Sequence, residues 1–187
     1  MTEEEFLASY SLEKYDRPAV TTDVVVLNRR RDGLFVLLIK RGGHPFRGAW
    51  ALPGGFLNRG ESVEECALRE LAEETSLKLT ELRALPVRSE PGRDPRGWII
   101  SNPFLAVVGD ENQNAAQAGD DAADARWFRI SCEQNRLTLR SGDLEITANL
   151  RVTERFGLPQ IEILPDETPG ERLAFDHAKI LWYVVGF

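Results

Sequence analysis

Apolar and polar positions follow two different periods along this chain. Ala19 to Leu27 (AVTTDVVVL) and Leu34 to Ile39 (LFVLLI) are apolar runs rich in β-branched residues, the pattern of buried strands. Asn28 to Gly33 separates them and carries an Asp-Gly turn signal. Residues 62–75 (SVEECALRELAEET) switch to good helix formers with no Pro or Gly inside. Leu68, Leu71 and Ala72 form the face of that helix that can be buried. Strand patterns return at 81–90, at Trp98 to Val108 (WIISNPFLAVV) and at Ala125 to Phe128. Residues 136–152 alternate about Ser141-Gly142, which predicts a hairpin, and Leu158 to Leu164 a further short strand. Pro165 to Gly170 reads as a turn, and Glu171 to Val184 (ERLAFDHAKILWYV) as a closing helix. At the other end, Thr2 and Glu5 have capping-box spacing, so a short helix starts there.

The expected organisation is one domain over residues 1–187, with 1–18 as an N-terminal extension and 136–187 as a C-terminal hairpin plus closing helix. Strands alternating with one central and one terminal helix suit a mixed α/β (α+β) fold. The net charge is −7, so the chain as a whole does not attract nucleic acid or acidic membranes. An anionic substrate would need local positive charge or a metal. No apolar run is long enough for a membrane span, and the acidic start Met1-Thr2-Glu3-Glu4-Glu5 is unlike a signal peptide. Cys66 and Cys132 imply no disulfide framework and have no metal-binding spacing. A cytoplasmic location is the expectation.

The chemistry concentrates where a glycine loop, Gly54-Gly55-Phe56-Leu57-Asn58-Arg59-Gly60-Glu61, feeds the 62–75 helix. At about 100° per residue, Glu70, Glu73 and Glu74 fall within one arc of the helix. Three carboxylates so placed repel one another, and a divalent cation would turn that repulsion into a binding site. The alternative is a solvated acidic face. The glycines allow bare backbone to approach a ligand.

The full spacing decides between these readings. Gly55, five residues, Glu61, seven residues, Arg69-Glu70, an aliphatic, any residue, Glu73-Glu74, any residue, Ser76 and an aliphatic closely resembles the signature of the Nudix hydrolases. One position departs: Ser76 stands where the signature has glycine. A left-handed helix end costs a serine about 1 kcal/mol more than a glycine, so the departure touches helix termination and not the carboxylates. The resemblance implies the Nudix fold, a mixed β-sheet between helices. It also implies a metal site of Glu70, Glu73 and Glu74 for Mg²⁺ or Mn²⁺, with Glu70 alternatively as the base. Arg69 and Glu61 would pair to orient the cluster.

Other candidates lie outside that signature. Arg41 sits between a strand and the glycine loop, where it could meet a diphosphate; Gly54 and Gly55 line the same approach. Arg93, Asp94 and Arg96 lie in an irregular Pro/Gly loop. That trio suits phosphates and hydroxyls, or else an Arg–Asp pair braces the turn. The loop resembles one in the ADP-ribose-cleaving Nudix branch, which favours ligand contact. In the resembled family an acid on a late loop helps activate water or bind a second metal; of the acids in the 109–124 loop most read as a solvated face, with Asp120 and Asp121 the best placed for that role. Trp50 and Phe46 are core or a stacking wall, with core the preferred reading, and Arg29 to Arg31 a hairpin tip more than a phosphate site. His177 is read as structural, although a similar closing segment in the resembled branch leaves it able to face a ligand. His44 is assigned no role.

The implied reaction is hydrolysis of a nucleoside diphosphate linked to another moiety, with ADP-ribose plus water giving AMP and ribose 5-phosphate as the specific expectation. The rival is a Nudix-like ADP-ribose sensor of the transcriptional-regulator type. Relatives of that type carry a winged helix-turn-helix after the Nudix domain, for which the residues after the closing helix leave no room. A small nucleotide is the expected partner, and a homodimer is expected from the resembled branch.

Overall fold

The structure, a computed structural model, describes residues 1–109, 122–165 and 170–186. Its frame is a nine-stranded mixed sheet in the order β4-β5-β1-β2-β6-β7-β8-β9, with β3 attached to β2. The strands are β1 (Ala19–Arg30), β2 (Gly33–Arg41), β3 (Trp50–Ala51), β4 (Arg83–Ala84), β5 (Ile99–Val108), β6 (Ala122–Glu133), β7 (Arg136–Ser141), β8 (Leu144–Arg155) and β9 (Leu158–Ile163). β1 and β5 run parallel, whereas every other pair is antiparallel. The helices are α1 (Glu3–Ser9), α2 (Val63–Thr75) and α3 (His177–Val185), with one 3-10 turn at Leu12–Lys14.

Both faces of the central strands are buried, which explains why β1 and β2 read as continuous apolar runs. Val24 and Val26 of β1, Leu37 of β2 and Phe104 of β5 pack with Ala67 and Leu71 of α2. Their neighbours Val25, Leu27, Val36 and Leu38 point the other way, against Phe128 of β6 and Ile180 and Leu181 of α3. The sheet is thus covered by one helix on each side, as expected of a mixed sheet between helices. Trp50 is fully buried in the second core, edge-on to Phe128 at 4.7 Å. Phe46 is half-buried against Phe175.

Several elements differ from the sequence expectation. The 28–33 turn is shorter: strand pairing continues to Arg30↔Gly33, so Arg31 and Asp32 alone make the turn. The 81–90 strand shrinks to Arg83–Ala84 plus a bridge at Arg88↔Ser101, because Pro86 has no N–H to continue a ladder. The closing helix begins only at His177. Residues 172–174 instead run extended beside Trp50, whose N–H donates to the Arg172 carbonyl (2.9 Å) while the Ala174 N–H donates back to Trp50 (2.8 Å). That pairing overrides local helix propensity. The 136–152 hairpin, the 158–164 strand and the N-terminal capping box are all present.

Candidate active site

The site begins with a division of labour in β1. Its second half pairs with β2, but its first half is free on that side, and the glycine segment fills the gap. The Val24 N–H donates to Pro53 (2.8 Å), Thr22 to Gly55 (2.9 Å), and Leu57 donates back to Val20 (2.9 Å). Gly54 has φ +156°, and a Cβ there would lie 2.9 Å from the Asp23 Cα and nearer still to the Thr22 carbonyl oxygen. Only glycine fits that close approach. At Gly55 the space of the missing side chain is taken by the Glu70 carboxylate.

Helix α2 then presents its acids to this loop. Ser62 caps it in a capping box with Glu65, and Ser76 ends it in the left-handed conformation at φ +60°. Leu71 is buried with Cys66, Ala67 and Thr75, while Leu68 and Ala72 are half-buried. Arg69 grips Glu61 through two nitrogens (2.7 and 3.1 Å), Glu70 at 2.7 Å and Glu73 at 3.1 Å. The Arg69 guanidinium and the Asn58 backbone N–H hold the Glu61 carboxyl down at about 2. Arg69 and Glu61 therefore pair as expected and fix Glu70 in place.

A cavity of about 350 Å³ opens between the loop, α2 and the 93–96 turn. Glu70 and Glu74 line it, but Glu73 does not; its side chain is 60% exposed and turned to Arg69. Glu74 accepts the Gly54 N–H at 2.8 Å. Burial, and then the charge of Glu70, overcome that hydrogen bond and push the Glu74 carboxyl up to about 8. A carboxylate with such a hold on a proton sits in a place short of positive charge. Two hard oxygen donors in that setting fit a divalent cation of the Mg²⁺ or Mn²⁺ kind. Among the described residues no three His, Cys, Asp or Glu side chains gather into a ready-made metal cage.

The arginines line the same cavity. Arg41 donates to the Pro45 carbonyl (2.9 Å); burial and the charge of Arg96 lower its pKa. Arg96 clasps Asp94 through both nitrogens (3.0 and 2.7 Å). Its guanidinium lies 4.8 Å from the Phe56 ring and 5.3 Å from Phe175, while Arg41 lies 4.9 Å from Phe175. Asp94 is 2% exposed, and burial, which would raise its pKa, is outweighed by Arg96. The Arg–Asp brace of the turn is thus real, and both partners still face the cavity. Arg93 is bound to Asp176 by two hydrogen bonds (3.1 and 2.7 Å), with both side chains 5% exposed. Asp120 and Asp121 lie outside the described residues, as do Asp110 and Glu111. Asp124 is paired with Arg126 at 2.6 Å.

Three contributors to the cavity escaped the sequence reading or were underweighted there. Asp23 sits on its floor, held by the Ser101 hydroxyl, by His177 Nε2 (3.2 Å) and by Arg93 (3.8 Å). Burial pushes its carboxyl up; contacts with His177, Ser101 and Arg93 outweigh that and hold it below the usual range. His177 Nδ1 accepts the Leu52 N–H (2.9 Å), so the ring's proton resides on Nε2, facing Asp23. His177 is buried and structural, as read, but it also lines the cavity. Phe56 and Phe175 are the third feature. The one signal available beforehand was an acid at position 23 inside a β-branched strand.

Comparison with known proteins agrees with this architecture. An ADP-ribose pyrophosphatase of Methanocaldococcus jannaschii is 45% identical over 118 residues, covering 63% of this chain and 65% of that protein. The chain thus spans a little under two thirds of that relative's length. The crystal structure of a MutT/nudix family protein from Enterococcus faecalis superposes with a TM-score of 0.77 at 39% identity, covering 97% of this chain and 67% of that one. The NUDIX domain of Shewanella oneidensis NrtR complexed with ADP ribose gives 0.63 at 34% identity, covering 69% and 84%. No helix among the described residues is long and apolar enough to cross a membrane. A family model described as NUDIX domain matches residues 17–150, well over half of the 187 residues, and the chain belongs to that family.

Proposed function

We propose that this protein hydrolyses the diphosphate bridge of a nucleoside diphosphate linked to another moiety, and that ADP-ribose is the substrate, yielding AMP and ribose 5-phosphate. One observation carries the reading: a single cavity in an otherwise acidic chain brings the Glu70 and Glu74 carboxylates together with the Arg41 and Arg96 guanidiniums. Carboxylates alone would repel a diphosphate; arginines alone would bind it without reacting. Together they suit a diphosphate clamped between guanidiniums and a cation. Glu70 and Glu74 would hold Mg²⁺ or Mn²⁺, with Glu73 joining from the helix surface. The bound ion would neutralise the diphosphate and polarise the P–O bond that breaks.

The protein's own groups do the rest. Arg69 fixes Glu70 from behind. Arg41 and Arg96 bind phosphate oxygens, and Arg93 with Asp94 shapes the ribose side. Gly55 leaves room for the Glu70 carboxylate, while Gly54 lies close against β1 and donates its N–H to Glu74. Water adds to one phosphorus, the bridging P–O bond breaks, and a carboxylate takes the proton. Glu70 is the described candidate for that base, and Asp121 the candidate outside the described residues. Similarity to the ADP-ribose pyrophosphatase of M. jannaschii supports both the reaction and the substrate.

A sensor that binds ADP-ribose without cleaving it is the second reading, favoured by the likeness to the NrtR domain complexed with ADP ribose. A substrate panel with Mg²⁺ and Mn²⁺ separates the two. It contains ADP-ribose, NADH, diadenosine polyphosphates, nucleotide sugars and oxidised nucleoside triphosphates, with products identified by chromatography. ADP-ribose turning over fastest, to AMP and ribose 5-phosphate, is the expected result. Binding of ADP-ribose without turnover establishes the sensor instead.

A further inference from the structure

A second cleft, as large as the first at about 350 Å³, lies between the β8–β9 hairpin, α3 and the segment around Arg88. Arg88, Arg151 and Lys179 line it together with Thr153, Gln160 and Glu162. Strand register explains the gathering: Arg151 and Thr153 share one face of β8, opposite Glu162 and Gln160 on β9. Thr153 and Gln160 add a hydroxyl and an amide to the cationic groups.

The charges are incompletely matched. Arg151 pairs with Glu162 at 2.8 Å, but both side chains are 62% exposed, and such a pair is readily exchanged for another anion. Among the described residues Lys179 has no acidic side chain within salt-bridge reach. Arg88 donates to Glu90 through Nη2 (2.5 Å), while its Nε is buried without a hydrogen-bond partner, 3.8 Å from Asp176. Three cations and two carboxylates line the cleft, with Asp176 behind Arg88 already held by Arg93, in a chain whose overall charge is −7. Guanidinium, ammonium, hydroxyl and amide donors around a polar hollow are the donor set of a phosphate group.

We propose that this cleft is a second binding site, for a phosphate group presented free or as a monoester, and that it is linked to the catalytic cavity through Arg88. The link has two strands. The Arg88 backbone pairs with Ser101 in both directions (2.9 Å each), and the Ser101 hydroxyl donates to Asp23 on the cavity floor. The Arg88 guanidinium also faces Asp176, the carboxylate that holds Arg93. A ligand that draws Arg88 toward the cleft alters both contacts, and any coupling of affinities acts equally in either direction.

The test is a nuclear magnetic resonance titration of the full chain with inorganic phosphate and, separately, ribose 5-phosphate, at constant ionic strength. Saturable shifts are expected at the amides of 160–162 and 179 and at the Arg88 Nε–H, accompanied by smaller shifts at Ser101 and Leu52. Lys179→Met should weaken binding about tenfold and the exposed Arg151→Gln severalfold, while Arg96→Ala in the catalytic cavity leaves the rear shifts intact. Equal affinities for the two ligands assign recognition to the phosphate alone; tighter binding of ribose 5-phosphate assigns it to a monoester. Absence of saturable rear shifts, or equal affinity in wild type and both rear variants, overturns the site. Shifts confined to the rear residues overturn the link.

Discussion

Replacing Gly55 by alanine should damage catalysis while sparing the fold. The added Cβ would lie 2.5 Å from Glu70 Oε2, with the rest of the carboxyl group closer still. Non-bonded carbon and oxygen settle at about 3.5 Å, so the carboxylate must retreat by about 1 Å. It is the end of a flexible side chain, and Gly55 is not in the left-handed range, so the backbone can keep its course. Loss of glycine's freedom in the unfolded chain even favours the native state by about 0.4–1 kcal/mol. A misplacement of about 1 Å at a reacting group costs about 100-fold in rate, or about 2.7 kcal/mol of barrier. Steady-state hydrolysis of ADP-ribose and a thermal melt on the same preparation make the assay. The expected result is kcat/KM down about 100-fold with the melting temperature held or slightly raised. Gly54→Ala is the contrast: its φ of +156° and its backbone neighbours predict loss of the fold itself. If Gly55→Ala keeps full kcat/KM with its structure intact, the position of the Glu70 carboxylate is irrelevant to the chemistry and the reasoning fails.

Three further outcomes follow from the same geometry. Glu74, raised to about 8 when folded against about 4.3 in an unfolded chain, favours the metal-free fold most at low pH. That contribution declines from about pH 4.3 and is gone above about pH 8. Glu74→Gln should therefore lose activity, and in urea melts without metal it should lack the decline that wild type shows between pH 5.5 and 8; parallel curves would refute the assignment. Ser76→Gly should raise stability by about 1 kcal/mol, or about 2–4 °C in melting temperature, without changing kcat, because φ at Ser76 is +60°; a lower melting temperature would contradict it. His177→Ala strands the Leu52 N–H and a contact of Asp23, so urea denaturation should register a loss of about 1–3 kcal/mol, and an unchanged midpoint would show that the ring is not the acceptor.

Much of the frame was legible because it rests on local pattern. The double-sided burial of β1 and β2 appears in the sequence as unbroken apolar runs, and the α2 acids appear at helical spacing. Ser76 was readable as a strained helix end because it stands where the resembled signature has glycine. What escaped depends on partners distant in sequence. The start of α3 is set by Trp50 claiming the backbone of residues 172–174. The length of the 81–90 strand is the exception, limited locally by Pro86 within the segment. Asp23 is a single acid in an apolar strand and acquires meaning only when Ser101, Arg93 and His177 converge on it. The spread of the three α2 acids was also hidden: helical spacing put them on one arc, but Arg69 draws Glu73 away from the cavity.

The extended run beside Trp50 has a bearing on how the protein can be cut. The family match stops at residue 150, yet Phe175 and His177 line the cavity, and Ile180 and Leu181 complete the core behind it. A fragment trimmed to the matched stretch would keep every acid of the helix signature while losing Phe175 and His177 from the cavity and the Glu171 carboxylate that accepts the Trp50 indole N–H. For expression or crystallisation, the smallest useful piece is therefore set by where the tail docks, well past residue 150, where the family model stops.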